Sequence, residues 1–559
     1  MPVLIVSDFT CDPLLHPLRR LAPGWEFSVA PFNQVMPTLL QAPDTDLAGL
    51  VLWTTPVGVL PSFARAARLE QVEHRQVLVE VDEFANLVAR AAREHPVLMA
   101  TWSRSPEITG YGMLDWQPGL GLAHLAAAAN LRLAERLAGV PGVHLLDSQR
   151  WLGSVADPES PKLWYAAKVP YRPEVFATAA LDISAALEAL SGLSRKLVIV
   201  DLDDTLWGGV VGDLGWERLR LGGPDPLGEA FEDFQMALKE LSVRGVQLGV
   251  VSKNTEAIAR EAIDRHPAMR LRASDFAGMR INWEDKAANV ASLVAEIGLG
   301  LSAVVFIDDN PVERARVAQA LPEVLVPEWP ADPMLFAKAL RGLRCFASST
   351  LSSEDRSRTQ MYATERNRSA ALTEIGSRDE WLQSLGTEVH VSPIVDATYP
   401  RVTQLLNKTN QLNLRTRRMS EPELRAWSSQ PGRSLLTISV GDRYGDLGLV
   451  GIIGIEFVDD AGWVTDFVLS CRAMGRGIEE TMLHAAWQEA VRFGARALHV
   501  RYEPTDRNEP TLRVLRSLGL EERDDLEFMI DGEEQARIPA GVFVVDAREQ
   551  GTERRSAPR

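Results

Sequence analysis

The chain is poor in cysteine: Cys11, Cys345 and Cys471 are spread over 559 residues, too few and too scattered for a disulfide framework or a zinc site. It lacks a long apolar run. The stretch from Leu47 to Phe63 is broken by Thr54, Thr55, Pro56 and Pro61, short of the ~18 uninterrupted residues of a membrane helix. The first residues, MPVLIVSDFT, carry no basic region ahead of the apolar one and do not read as a secretory signal. A soluble, cytoplasmic protein is expected. Lysine is also scarce, eight of 59 basic side chains, the rest being arginine; 76 acidic side chains leave a net charge of −17. That excess argues against nucleic-acid or anionic-membrane partners, which need a positive face. Any anionic ligand must therefore be captured against the mean field. The nine histidines show no metal-ligand spacing, and there is no repeat of fixed period.

What is present is an ordinary globular composition, 46% hydrophobic and 24% charged, with ample material for a core. At roughly 150 residues per domain the length allows three or four domains. Residues 1–190 alternate short apolar runs (4–8, 47–53, 96–102, 143–147) with helical patterns, the reading of an α/β domain. A second α/β unit, 191–345, has buried strands in 196–204, 246–254 and 302–310, each ending in polar residues. The polar stretch 346–380 reads as a solvated helical linker, 381–548 as a third, α+β domain, and 549–559 as a disordered tail.

The strongest chemical signal is Asp201-Leu202-Asp203-Asp204-Thr205 directly after an apolar strand. Two carboxylates two residues apart on a strand-exit loop can share one site, Asp201 attacking phosphorus and Asp203 shuttling the leaving-group proton. A carboxylate attacking a phosphate dianion needs a divalent metal and cationic or hydrogen-bonding groups. Ser252 ends the second strand and Asn254 follows it; Lys286 can neutralise phosphate and hold Asp201. Asp308 and Asp309 end the third strand as hard oxygen ligands suited to Mg²⁺. Between Thr205 and a helix beginning near Pro226 lie only glycine-rich residues, room for a flap and not for a cap domain.

This ordered set resembles the haloacid dehalogenase (HAD) superfamily of phosphotransferases. The resemblance implies Asp201 as nucleophile, Asp203 as general acid/base, and Ser252 and Lys286 as phosphoryl ligands. It also implies Mg²⁺ held by Asp201, Asp308 and the Asp203 carbonyl, with Asp309 a further or alternative ligand. DLDDTLWGGVVGDLGWERLRLG, VVSKNTEAI, FAGMRINWEDKAANV and FIDDNPVERARV look like the FkbH-like family of polyketide pathways, which usually has Asn where this chain has Asp204.

Further on, Arg472-Ala473-Met474-Gly475-Arg476-Gly477 lies between a strand and an amphipathic helix, with glycines that let backbone N–H groups approach a phosphate. The run resembles the acyl-CoA-binding loop of GNAT acyltransferases, and Asn508 fits the start of that fold's next helix. Cys471 precedes the loop, flanked by Arg472 and Arg476, a setting that favours thiolate. FkbH-like proteins carry a matching segment, which implies that Cys471 attacks an acyl phosphate to form a thioester. Cys11 and Cys345 read as structural. Asn407, Lys408, Thr409, Asn410 and Gln411 are candidates to line an acyl site. Arg415, Arg417 and Arg418 form a cationic cluster suited to docking an acidic partner, and Asp446 and Asp466 are candidate bases.

The resemblance extends to the N-terminal region, where the family has an SGNH-hydrolase-like fold. Ser7 lies where such enzymes place a nucleophile, but no downstream Asp/His pair is evident, and His124 and His144 read as helix and strand residues. A non-catalytic scaffold or docking surface is expected. The implied substrates are 1,3-bisphosphoglycerate and an acyl carrier protein, and the implied reaction is dephosphorylation with glyceryl transfer to the carrier's phosphopantetheine thiol. Two alternatives stand beside it: a Mg²⁺-dependent phosphatase with a non-catalytic GNAT-like domain, and a non-catalytic carrier-docking scaffold.

Overall fold

The computed structural model describes residues 1–41, 47–105, 108–348, 378–409, 412–470, 473–505, 508–518, 520–523, 526–532 and 536–547. Most of the linker 346–380 and the tail 549–559 lie outside them. The chain divides into two compact units: Met1–Lys196 with Ala337–Ser352, and Leu197–Phe336 with Ser353–Arg559. No helix among the described residues is long and apolar enough to cross a membrane.

The first unit is built on five parallel strands, β1 (Pro2–Val6), β2 (Glu26–Val29), β3 (Gly49–Leu52), β4 (Val97–Ala100) and β5 (Val143–Leu146), in the order β2-β1-β3-β4-β5. Successive side chains of a strand face opposite sides, and β1 shows the result. Leu4 and Val6 pack with the helices His74–Ala91 and Leu122–Leu137, whereas Val3 and Ile5 pack with the helix Pro173–Leu190. The second core holds an aromatic knot in which Phe9 and Trp151 meet Trp53 edge-on, with ring centroids 5.4 and 4.9 Å away. The segment Ala337–Ser352 returns to this unit as a strap. Arg344 pairs with Asp182 at 2.5 Å, and Arg195 N–H donates to the Cys345 carbonyl at 2.8 Å.

In a parallel sheet of this order ligands usually sit where the strand order reverses, beyond β1 and β3. Here the protein's own side chains fill that place. Asp8, after β1, accepts from the Thr55 N–H at 2.8 Å and from its hydroxyl at 2.5 Å, after β3. The Ser7 hydroxyl accepts from the Phe9 N–H at 3.2 Å and is buried. His124 lies in a helix and His144 in β5.

The second unit carries two sheets. The first has four parallel strands, β6 (Leu197–Val200), β7 (Gln247–Ser252), β8 (Gly278–Ile281) and β9 (Val304–Ile307), in the order β8-β7-β6-β9. β6 and β9 are buried along their whole length, as expected of central apolar runs with helices on both faces. Leu325 extends the sheet beyond β9 through hydrogen bonds with Phe306 and Val304. Phe234, Trp329 and Phe336 close the lower core, with centroids 5.4 to 5.8 Å apart.

The other sheet has eight strands among the described residues: β10 (Thr387–Pro393), β11 (Arg433–Asp442), β12 (Gly445–Val458), β13 (Ala461–Leu469), β14 (Ala497–Arg501), β15 (Glu521–Arg523), β16 (Glu527–Ile530) and β17 (Val542–Asp546). Their order is β15-β16-β14-β13-β12-β11-β10-β17. Pairing is antiparallel except at β13–β14 and β10–β17. The helix Ile478–Arg492 makes the crossover that parallel neighbours β13 and β14 require.

A Cβ added at Gly58 would lie 1.8 Å from the Asp8 carboxylate. Gly58→Ala is expected to lower the thermal stability of the first unit by about 1–3 kcal/mol, as overpacking does. A melting curve equal to wild type would contradict the closed switch point.

Candidate active site

The parallel register pairs Val200 with Ile307, so the next residues, Asp201 and Asp308, leave neighbouring strands side by side. The Asp201 N–H donates to the Ile307 carbonyl at 3.0 Å, carrying the ladder one step into the loop. Lys286, first residue of the helix Lys286–Ile297, brings its Nζ to Asp201 Oδ2 at 2.7 Å and Asp308 Oδ2 at 2.5 Å. All three are buried. Burial lowers the affinity of the Lys286 amine for its proton, but the two adjacent carboxylates outweigh it and the pKa is raised. The ammonium is therefore permanent.

Asp203 stands one turn further into the loop. Its Oδ1 accepts from the Trp207 indole at 2.9 Å and the Val211 N–H at 3.0 Å, and its Oδ2 from Asn254 Nδ2 at 2.8 Å. Burial raises its pKa, the hydrogen bonds oppose this, and the charges of Asp201 and Asp204 add to it. A carboxyl group that keeps its proton above the usual range is suited to protonate a leaving oxygen. Asp204 has φ 51 and accepts from the Gly209 N–H at 2.7 Å. Asp tolerates this left-handed geometry better than most residues, and the bond pins the flap. The flap itself holds only the short helices Val211–Leu214 and Trp216–Arg218 and is tied across its base by Gly208 and Arg220.

Carboxylate oxygens of Asp201, Asp308 and Asp309 lie within 4.8 Å of one another, and hard oxygen donors of this kind fit a divalent cation such as Mg²⁺. Burial and the neighbouring Asp201 charge push Asp308 up to about 6 and raise Asp309 as well. Thr205 fixes Asp309 from both sides, its hydroxyl donating to Oδ1 and accepting from the Asp309 N–H, both at 3.1 Å. Ser252 is buried at the end of β7, beside this group in the sheet.

Two residues with a role here were missed in the sequence. Arg314, on the helix Pro311–Ala320, donates through Nη1 to the carbonyls of both Asp308 and Asp309 at 2.7 Å. Its neighbour Glu313 pairs with Lys253 at 2.6 Å, next to Ser252. The spacing of an arginine five residues after an acidic pair, on one helical turn, was the available signal.

The acyl-transfer expectations meet a different geometry. Cys471 and Arg472 lie outside the described residues, as do Asn410 and Gln411. Gly475 and Gly477 take the left-handed φ of 75 and 76 at the start of the helix Ile478–Arg492. The Gly475 N–H, however, donates to the Glu479 carboxylate at 2.7 Å. Arg476 is buried beside Asp442, 3.9 Å away. The Gly475 N–H and Arg476 thus lie against the protein's own carboxylates, where the sequence led one to expect them turned to a phosphate.

Asn407 is likewise corrected. Its amide donates to the Met419 carbonyl at 2.7 Å and accepts from the Met419 N–H at 3.0 Å, clamping a loop. The open cationic patch is also corrected. Arg415 donates to the Thr465 carbonyl at 2.7 Å and lies 3.5 Å from Glu503. Arg417 pairs with Asp466 and lies over the Trp427 ring at 4.8 Å, and Arg418 too has a partner. Asp466 is therefore the counter-ion of Arg417, and Asp446 accepts the Gly448 N–H in a turn. Asn508 is a fully buried junction whose amide reaches the carbonyls of Asn413 and Glu503 at 3.1 and 2.8 Å. Burial pushes the Cys11 thiol up to about 12 and that of Cys345 to about 11, so neither is a ready nucleophile.

Two outcomes follow from this centre. An acid whose pKa is raised by folding adds stability only while protonated, so the metal-free fold loses that contribution as pH rises from the usual 3.8 through the raised values of Asp203, Asp308 and Asp309. Mg²⁺ needs the ionised carboxylates. It is expected to raise the melting temperature more at about pH 8 than at about pH 5, approaching ~2.7 kcal/mol at a hundredfold excess over its dissociation constant. Equal shifts at both pH values would count against the site. Arg314→Met is expected to weaken divalent-ion affinity, read by calorimetry, by roughly tenfold, the loss of charge-assisted hydrogen bonds.

No protein-family model matches the chain, and no curated protein matches it. Among solved structures, the N-terminal part of the protein BF1531 from Bacteroides fragilis, containing a phosphatase domain and complexed with Mg, is similar. Identity is 24%, the match covers 63% of this chain and 94% of that one, and the TM-score is 0.57. Ribosomal-protein-alanine N-acetyltransferases from Escherichia coli and Brucella melitensis match 25% of this chain at 14% and 15% identity. The matches cover 90% and 99% of those chains, with TM-scores of 0.19 and 0.21. Over the part matched by the Bacteroides protein, the chain has the fold of a phosphatase-domain protein.

Proposed function

We propose that the chain is a Mg²⁺-dependent phosphotransferase that loads a glyceryl group from 1,3-bisphosphoglycerate onto an acyl carrier protein. The observation that carries the phosphoryl half is the buried Asp201–Lys286–Asp308 group with Asp203 held by Asn254. The Mg²⁺ bound in the similar Bacteroides structure supports assigning the carboxylate cluster to that ion. Bound there, Mg²⁺ would neutralise phosphate charge during transfer.

The chain's own residues supply the rest. Lys286 directs Asp201 toward the phosphorus and balances charge on the phosphoryl oxygens, and Ser252, buried at the end of β7, donates a hydrogen bond to them. As the Asp201 oxygen bonds to phosphorus, the ester P–O bond breaks and Asp203 gives its proton to the leaving oxygen. Water then attacks the aspartyl phosphate, Asp203 takes its proton back, and inorganic phosphate leaves. In the acyl half, the Cys471 thiolate attacks the acyl-phosphate carbon. A C–S bond forms, the C–O bond to phosphate breaks, and the glyceryl passes to the carrier thiol. This half rests on the sequence around Cys471 and on the strand–helix–strand crossover that follows it.

A second reading is favoured by the Gly475–Glu479 bond and the buried Arg476 beside Asp442. With these groups internally engaged, the eight-stranded domain would be non-catalytic and the chain a phosphatase alone. Intact-protein mass spectrometry after incubation with 1,3-bisphosphoglycerate, Mg²⁺ and a holo carrier protein separates the two. A glyceryl adduct on Cys471 and on the carrier is expected, lost in Cys471→Ala with phosphatase activity kept. Absence of any adduct in wild type leaves the phosphatase reading. Asp201→Asn is expected to reduce phosphate release by roughly 10³-fold or more, as removal of a nucleophile does.

A further inference from the structure

The helix Pro161–Ala167 in the first unit buries none of its residues. At seven residues it is far shorter than a helix that is stable alone in water. It is held by the Ser160 cap at one end and by the left-handed Lys168, φ 57, at the other. On it Leu163, Trp164 and Tyr165 face solvent, Tyr165 at 80% exposure. The loop after β4 adds Met113, Leu114 and Trp116, the last 68% exposed.

These two segments belong to one edge. β4 and β5 are adjacent and parallel, so the segments that follow them leave the sheet on the same side. Ser105 Oγ fastens them together, donating to Glu159 Oε2 at 2.6 Å. The loop backbone is fixed as well. Arg104 bonds the Ile108 carbonyl at 2.8 Å and Asp115 at 2.6 Å, and Asp115 accepts from the Leu122 and Ala123 N–H groups. Large apolar side chains are thus displayed by rigid backbone. Exposed clusters of this kind mark interaction sites, and Trp, Tyr and Met are the residues enriched in interface cores.

Charge selects the partner. Lys162 and Lys168, two of only eight lysines, flank the aromatic residues and are exposed. Neither is paired with a carboxylate among the described residues; Lys168 Nζ lies 5.0 Å over the Trp164 ring. Of the acids just before the helix in the sequence, Asp157 is paired with Arg172 and Glu159 accepts from Ser105. The stretch 160–168 itself carries two lysines, three large apolar side chains and no acid, on a chain of net charge −17. The arginines at 415 and 417 offer no such opening. We propose that the helix Pro161–Ala167 and the loop 111–116 form the docking surface for an acidic carrier protein, which rests on the carrier reading of the function.

The test is calorimetric titration of the full-length chain with a holo acyl carrier protein of net negative charge, at low and high salt. Trp164→Ala with Tyr165→Ala, and separately Met113→Ala with Trp116→Ala, are each expected to weaken binding roughly tenfold or more. Lys162→Glu with Lys168→Glu is expected to weaken it and flatten its salt dependence. Unchanged melting temperatures establish that the variants fold. Wild-type affinity in both aromatic variants overturns the docking surface while leaving the carrier reading intact. No binding by wild type overturns both. Wild-type self-association abolished by the same variants assigns the surface to a second copy and overturns the proposal.

Discussion

Two carboxylates, Asp201 and Asp308, share one ammonium, that of Lys286, at the edge of a buried parallel sheet, with Asp203 and Asp309 beside them. Two of these acids and the lysine are almost wholly withdrawn from solvent. Burying charge is costly unless it is paired, and here negative charge exceeds positive. Burial and this imbalance together hold Asp203, Asp308 and Asp309 above the usual carboxylate pKa range. The excess negative charge is what a divalent cation would neutralise. Within an acidic chain, the fold thus sets a scarce lysine where the acids are densest.

The surrounding structure serves that concentration. Strand register sets Asp201 beside Asp308, and Thr205 and Arg314 fix the loop bearing Asp308 and Asp309 through main-chain and side-chain bonds. Glu313 ties the same helix to Lys253, and Arg316 ties it to Asp285, the cap of the helix that presents Lys286. One helix, Pro311–Ala320, thus makes polar contacts with three of the loops that build the centre.

β1, β3 to β7 and β9 were legible because they are largely apolar runs followed by polar residues. β2 and β8 were not, because Glu26–Val29 alternates exposed and buried positions and Gly278–Ile281 is interrupted by Arg280, so each carries little apolar signal. That Asp201, Lys286, Asp308 and Asp309 come together was legible from their order and spacing. The arginines near 415 were not, because a sequence shows charge but not its counter-ion. Asp466 is about fifty residues from Arg417, and Glu503 is still further from Arg415. Asn407 misled for a related reason: an amide that clamps a loop and one that lines a pocket have the same letter.

The first unit is discontinuous, since Ala337–Ser352 returns to it after the whole four-stranded sheet has been traced. On the ribosome, residues 1–196 emerge without their strap. The Arg344–Asp182 pair and the Arg195–Cys345 hydrogen bond cannot form until the intervening segment has been synthesised. Completion of the five-stranded unit is thereby made conditional on synthesis of the inserted four-stranded sheet, an assembly order written into the connectivity alone.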